Sequence, residues 1–147
     1  MVPHQIELDI DIAATPENVW AALTETEHIR VWWAFGGAEV DLRPGGAMVF
    51  RWEEHGEYHS VIETVEPAKR FTFRMSATPG EQPGPRNETL VDFTLSATAN
   101  GTHLRFTESG FPELNGTDEE KQQHAEISEQ GWTGGLDTLK GIAEKLD

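Results

Sequence analysis

The sequence predicts an α+β domain in which a curved antiparallel sheet of about six to seven strands wraps one long C-terminal helix, with two short helices after the first strand. Three observations carry that expectation. Apolar and polar residues alternate in short runs, the spacing of half-buried strands. Turn signals separate these runs closely enough for hairpin connections, which imply antiparallel pairing. From Asp118 to Leu146, the residues Trp132, Leu136, Leu139, Ala143 and Leu146 recur at spacings of four and three, the mark of a helix with one apolar face.

Residues 4 to 12 form the first strand, with Ile6, Leu8, Ile10 and Ile12 inside and Glu7, Asp9 and Asp11 outside. Thr15-Pro16-Glu17 supplies an N-cap, a first-turn proline and a first-turn acid, and opens a helix whose Val19, Trp20 and Leu23 share a face. A second short helix runs from Glu27 to Trp33. Adjacent helical residues point some 100° apart, so Trp32 and Trp33 cannot share one stripe, and one of them is expected to face an interior space or an opening. Ala38, Val40 and Leu42 mark the second strand, and Arg43-Pro44-Gly45-Gly46 a tight turn. Met48, Phe50 and Trp52 give the third strand a large-residue face; Tyr58, Ser60 and Ile62 mark the fourth, and Phe71, Phe73 and Met75 the fifth. Thr78 to Asn87 is rich in proline and glycine and reads as an exposed, mobile loop. Val91, Phe93 and Leu95 form the sixth strand, Asn100-Gly101 a hairpin turn, and Leu104 and Phe106 the seventh. Glu108 to Thr117 is expected to be a turn-rich passage in which Phe111 tucks under and Thr117 or Asp118 caps the last helix. Gly131, Gly134, Gly135 and Gly141 cost that helix about 1 kcal/mol each against alanine. Close helix-to-sheet contact or a slight bend would account for them, and so would room left for a ligand beside Trp132.

A chain of 147 residues suits a single domain over 1–147 with a full core of its own. With no cysteine, disulfide and thiolate chemistry are excluded. The 26 acidic against 11 basic residues give a net charge of -15, which disfavours nucleic acid and anionic membranes as partners, since both are bound by neutralising phosphates. No basic-then-apolar leader or spanning segment is visible, and a cytoplasmic location is expected.

Enzymatic signatures are scarce. The spacing of His55 and His59 would join two metal ligands on a helix, but Gly56 and the alternation around Tyr58 argue for a strand, so no metal site is expected. Nucleophile elbows, P-loops and dinucleotide glycine motifs are missing, and neither a catalytic residue nor a cofactor is assigned. By parity, Arg51, His59, Arg74, His103 and Arg105 point away from the apolar face, whereas Glu53 and Tyr58 could lie at a pocket mouth.

Thr15-Pro16-Glu17-Asn18-Val19-Trp20-Ala21-Ala22-Leu23-Thr24, Trp32-Trp33, Leu42-Arg43-Pro44-Gly45-Gly46, Val65-Glu66-Pro67 with Arg70, and Gly131-Trp132 followed by Leu136 and Leu139 together resemble the bacterial SRPBCC proteins of the START-like superfamily. Within them they match the branch similar to the C-terminal domain of the activator of the ninety-kilodalton heat-shock chaperone's ATPase. The resemblance spans essentially the whole chain and implies the helix-grip fold of the birch-pollen allergens, often with a cavity between sheet and helix. Many members carry His-Ser-Gly-Phe after the last strand where this chain has Glu108-Ser109-Gly110-Phe111, so no histidine role carries over. The leading expectation is non-catalytic binding of a small hydrophobic or aromatic molecule, lined by Trp32, Phe50, Trp52, Tyr58, Phe73, Phe93, Trp132 and Leu136. A protein-interaction module regulating a chaperone ATPase is the alternative, and a cyclase or hydrolase of the wider superfamily the third reading. The similar domain of the eukaryotic activators follows a separate N-terminal domain, whereas here the likeness begins almost at Met1, which favours the first reading. As a monomer or a homodimer, the chain could serve either of the first two.

Overall fold

A computed structural model describes residues 1–146. The order is β1 (Gln5–Ile12), α1 (Pro16–Thr24), α2 (Thr26–Trp32), β2 (Gly37–Val40), β3 (Ala47–Trp52), β4 (Gly56–Glu66), β5 (Arg70–Ser76), β6 (Glu88–Thr98), β7 (Gly101–Ser109), a 3-10 turn (Phe111–Glu113) and α3 (Asp118–Lys145). The seven strands form one antiparallel sheet in the order β1-β7-β6-β5-β4-β3-β2. Each connection after β2 is a hairpin, and β1 closes the far edge by pairing with β7, Gln5 opposite Ser109 and Ile12 opposite Thr102.

Alternation gives the sheet two chemically distinct faces. Met48, Phe50, Ile62, Phe71, Phe73, Val91, Phe93, Leu104 and Phe106 are buried on the inner one. On the outer face, Arg51 joins Glu39 and Glu57, Arg74 joins Glu63 and Glu88, Arg70 meets Asp92, and Arg105 reaches Glu7 and Asp9. His103 lies between Asp9 and Asp11 at 2.9 and 2.8 Å. Such exposed pairs are screened by solvent and add little stability singly, but they relieve repulsion among the acids.

The Thr15 hydroxyl accepts the Asn18 N–H at the start of α1. Thr117 and Glu120 exchange the two bonds of a capping box at the start of α3. Its 28 residues span about 42 Å and pack against α1, α2, β1 and the 3-10 turn. Phe111, in that turn, is fully buried.

Three expectations about boundaries are corrected. The second helix stops at Trp32, because the N–H groups of Trp33 and Ala34 both bond to the Ile29 carbonyl and turn the chain out of the helix. The second strand stops at Val40, leaving Leu42 outside it and 39% exposed. The last strand continues to Ser109, with Glu108 opposite Val91 on one side and Ile6 on the other, so Glu108 belongs to the sheet and not to a turn.

Candidate functional site

The tryptophans at the end of α2 build the site. Trp32 is buried and donates its indole N–H to the Ala22 carbonyl at 2.8 Å, which locks α2 onto α1. The turn that follows aims Trp33 the other way. Its ring stacks on Trp132 of α3, with centroids 3.7 Å apart and planes 12° from parallel. From β3, Trp52 meets Trp33 edge-on at 5.3 Å and donates its own N–H to the Trp33 carbonyl at 2.7 Å. Tyr58 of β4 continues the cluster, edge-on to Trp52 at 5.7 Å, and burial pushes its hydroxyl pKa upward.

The helix glycines make this arrangement possible. A Cβ on Gly135 would stand 3.1 Å from both the Trp32 carbonyl oxygen and the Trp33 ring, and one on Gly131 would lie 3.7 Å from Trp33. Their close neighbour is therefore the Trp32-Trp33 turn and not the sheet. A Cβ on Gly134 or Gly141 would meet open space.

Beside the tryptophans lies a cavity of about 690 Å³, open to solvent. That volume falls within the range of small-molecule sites. Trp32, Trp33, Trp52 and Tyr58 form its aromatic wall, and Met75, Ser76 and Ala77 at the end of β5 its base. From α3 the lining takes Gly131, Gly134 and Gly135 with His124, Ile127, Ser128 and Thr138; Gly131 and Gly135 lie against Trp33, while Gly134 leaves open space. Phe35 and Ile127 stand at the rim, 69% and 62% exposed. Two wall hydroxyls already donate to backbone, Ser76 to Thr78 at 2.8 Å and Thr138 to Gly134 at 3.2 Å. Among the described residues, the side chains of His55, Tyr58 and His124 hold no hydrogen bond and face the space with polar groups free. Burial lowers the His124 pKa, which favours the neutral ring.

Of the residues expected to line a pocket, Trp32, Trp52 and Tyr58 do so. Phe50, Phe73, Phe93, Trp132 and Leu136 are at most 3% exposed and form the core behind the wall. Trp33 fills the space beside Trp132, which moves the cavity outward by one aromatic layer. Glu53 sits exposed in the β3–β4 turn.

Glu108 escaped the sequence reading. Its side chain is fully buried; one carboxylate oxygen accepts the Trp132 N–H at 3.0 Å and the other the Thr89 hydroxyl at 2.6 Å. Burial pushes the carboxyl up to about 7, against the pull of hydrogen bonds from Thr89, Trp132 and Ser128. No ion pair involves it among the described residues. Glu108 thus fixes the orientation of Trp132, on which Trp33 rests, and Ser128 separates it from the cavity. Continuing the alternation of Leu104 and Phe106 would have placed it inside.

A second, more polar space of about 460 Å³ adjoins the first. The two share Ala77, His124 and Ile127. Its walls come from the loop between β5 and β6 and from the first turns of α3. That loop is closed at its neck by the Thr78 hydroxyl, which donates to the Asn87 side chain at 2.7 Å.

Among the described residues no helix is long and apolar enough to cross a membrane. No curated protein matches the sequence significantly. Solved structures share the fold. Protein MLL2253 from Mesorhizobium loti is similar with a TM-score of 0.80 at 23% identity, over 97% of this chain and 98% of that one. The Aha1 dimer from Colwellia psychrerythraea follows with 0.71 at 24% identity, over 96% of each chain. The AHSA1-like protein from Aeromonas hydrophila gives 0.71 at 22%, over 95% and 92%. These likenesses show the helix-grip α+β fold, and the family model described as "Activator of Hsp90 ATPase homolog 1-like protein" matches residues 13–144. The chain belongs to that family.

Proposed function

We propose that the domain binds a small, largely apolar or aromatic molecule in the cavity between the sheet and α3. The observation that carries this reading is the lining of the cavity: four aromatic side chains stand beside a stretch of helix where Gly134 leaves open space. A ring inserted there would stack or meet edges with the aromatic side chains and lie against the helix backbone at Gly134, burying most of its surface with few polar contacts. His55, Tyr58 and His124 are the groups that would orient it.

The test is a panel of fatty acids, flavonoids, sterols and aromatic acids, read by tryptophan emission and by melting temperature. A ligand at a hundredfold excess over its Kd adds about 2.7 kcal/mol of stability. Gly134→Leu fills the cavity from a position with open space around it, and should abolish the response without lowering the melting temperature. Asp9→Asn, on the outer face, should leave the response intact. A panel without any spectral or thermal effect defeats the reading.

A second reading, a protein-interaction module acting on a chaperone ATPase, rests on the family's description and on Val31, Phe35 and Ile127, which are 56 to 69% exposed. Exposed apolar groups of this kind mark protein contacts when they form a patch. Val31→Ser, away from the cavity lining, would weaken chaperone binding under this reading and leave small-molecule binding largely unchanged.

A further inference from the structure

Resting on the proposed binding reading, we propose that the ligand is an amphipathic organic anion, its apolar body against the tryptophan wall and its anionic end in the adjoining polar space at Arg86 and Lys121. The two spaces lie on either side of the shared residues Ala77, His124 and Ile127, and in this proposal a molecule seated against Trp33 and Trp52 extends past His124 into the second one. Chemistry changes along that path. The first space is aromatic and glycine-lined; the second is walled by Arg86, Lys121, Asn87 and Asn115.

Charge accounting singles out this pair. Arg43, Arg51, Arg70, Arg74, Arg105 and Lys140 each pair with a carboxylate. Among the described residues Arg30, Lys69, Arg86, Lys121 and Lys145 do not, and of these Arg86 and Lys121 line the same space. The Lys121 ammonium donates to the Pro112 carbonyl at 2.9 Å, which holds it in place and leaves its charge uncompensated and two protons free. Arg86 presents a planar fork of donors suited to a carboxylate or a phosphate. Its carbonyl accepts the Asn115 N–H at 2.9 Å, so the loop that carries it is tied to the segment preceding α3. Two carboxylates share the wall. Glu120 is occupied at the start of α3, accepting the Thr117 N–H at 2.9 Å, and Glu81 is exposed. Neither pairs with Arg86 or Lys121.

The experiment compares matched ligands by calorimetry and tryptophan quenching at pH 7: 2-naphthylacetic acid with 2-naphthylacetamide, and dodecanoic acid and dodecyl phosphate with dodecanol. Each anion should bind about tenfold more tightly than its neutral counterpart, with an advantage that shrinks as sodium chloride is raised. Arg86→Gln and Lys121→Gln should each reduce that advantage several-fold, and the double variant should erase it while leaving the affinity of the neutral ligands unchanged. The better of dodecanoate and dodecyl phosphate identifies the anionic group. Equal binding of acid and amide, or a preference that survives the double variant, overturns the inference and leaves the cavity reading standing. Failure of every ligand, neutral ones included, overturns both.

Discussion

From Trp132 to Ala143, α3 buries Trp132, Gly135, Leu136, Leu139 and Ala143, whereas from Asp118 to Gln130 it buries Ala125 alone. The C-terminal half is held by α1, α2 and β1, down to the Glu144 carboxylate accepting the Ala13 N–H at 2.9 Å and the Leu146 carbonyl accepting from Asn18 at 3.2 Å. The N-terminal half is carried by its capping box, by Lys121 on Pro112, and by the helix it continues. One helix thus divides two tasks: half of it is core, and the other half is a wall standing off the sheet with space behind it. The glycines fall at the junction.

The largest effect should come from the packed half. Leu139 is fully buried, so Leu139→Ala should cost about 2 to 5 kcal/mol in denaturant unfolding. A loss below about 1 kcal/mol would show that this half is not core after all.

Next comes the junction, where Glu108 holds Trp132. The free carboxyl titrates near 4.5 and the folded one at about 7, so between those values the native state keeps a proton that the unfolded state has released. Stability contributed by this group is therefore full below pH 4.5, falls as pH rises towards 7, and levels off above, by about 3 kcal/mol in all. Glu108→Gln keeps the shape and cannot ionise. Its unfolding free energy, measured against that of the unsubstituted chain from pH 4.5 to 8, should lack that component of the slope; identical slopes would refute the assignment.

Smaller still is the contrast between two neighbouring glycines. Gly134→Ala should raise stability by up to about 1 kcal/mol, the helix propensity gain, since its methyl enters open space. Gly135→Ala should lose that gain to the Trp32 carbonyl at 3.1 Å, a backbone atom that cannot swing away, and end less stable than the unsubstituted chain. Equal melting temperatures for the two would dissolve the distinction.

At the standing-off end, Ile127→Ser should change stability by no more than about 0.5 kcal/mol, because the side chain is 62% exposed. Any larger loss would mean that this half packs more than its exposure shows.

The same division explains what the sequence disclosed. Strand order and the packed half of α3 were legible, since period-two alternation and the spacing from Trp132 to Ala143 follow directly from burial on one face. Asn100-Gly101 and Thr15-Pro16-Glu17 announced their turn and cap through local chemistry alone. The site was legible only in part. Trp32, Trp52 and Tyr58 are recognisable in the sequence as candidate lining, but room for a ligand beside Trp132, one of two explanations for the glycines, is taken by Trp33, and nothing local shows that Trp33 stacks there across the fold. His124, Ile127 and Ser128 lie outside the apolar repeat and gave no signal. Glu108 was passed over because its charge outweighed its parity, and a buried carboxyl near pH 7 is a property of the assembled interior rather than of the residue.

The pairing of β1 with β7 sets a timetable for synthesis. The first strand leaves the ribosome long before the last, and at 5 to 20 residues per second its partner follows roughly 5 to 20 seconds later. Throughout that interval Ile6, Leu8, Ile10 and Ile12 form a bare sticky ribbon, and α3, the lid over the finished interior, emerges later again. Nascent chains on one messenger could align such ribbons, and Glu7, Asp9 and Asp11 at every second position make that alignment repulsive. Arg105 and His103 arrive only with the proper mate, so the acids that keep early copies apart become, on closure, the groups that select the correct edge.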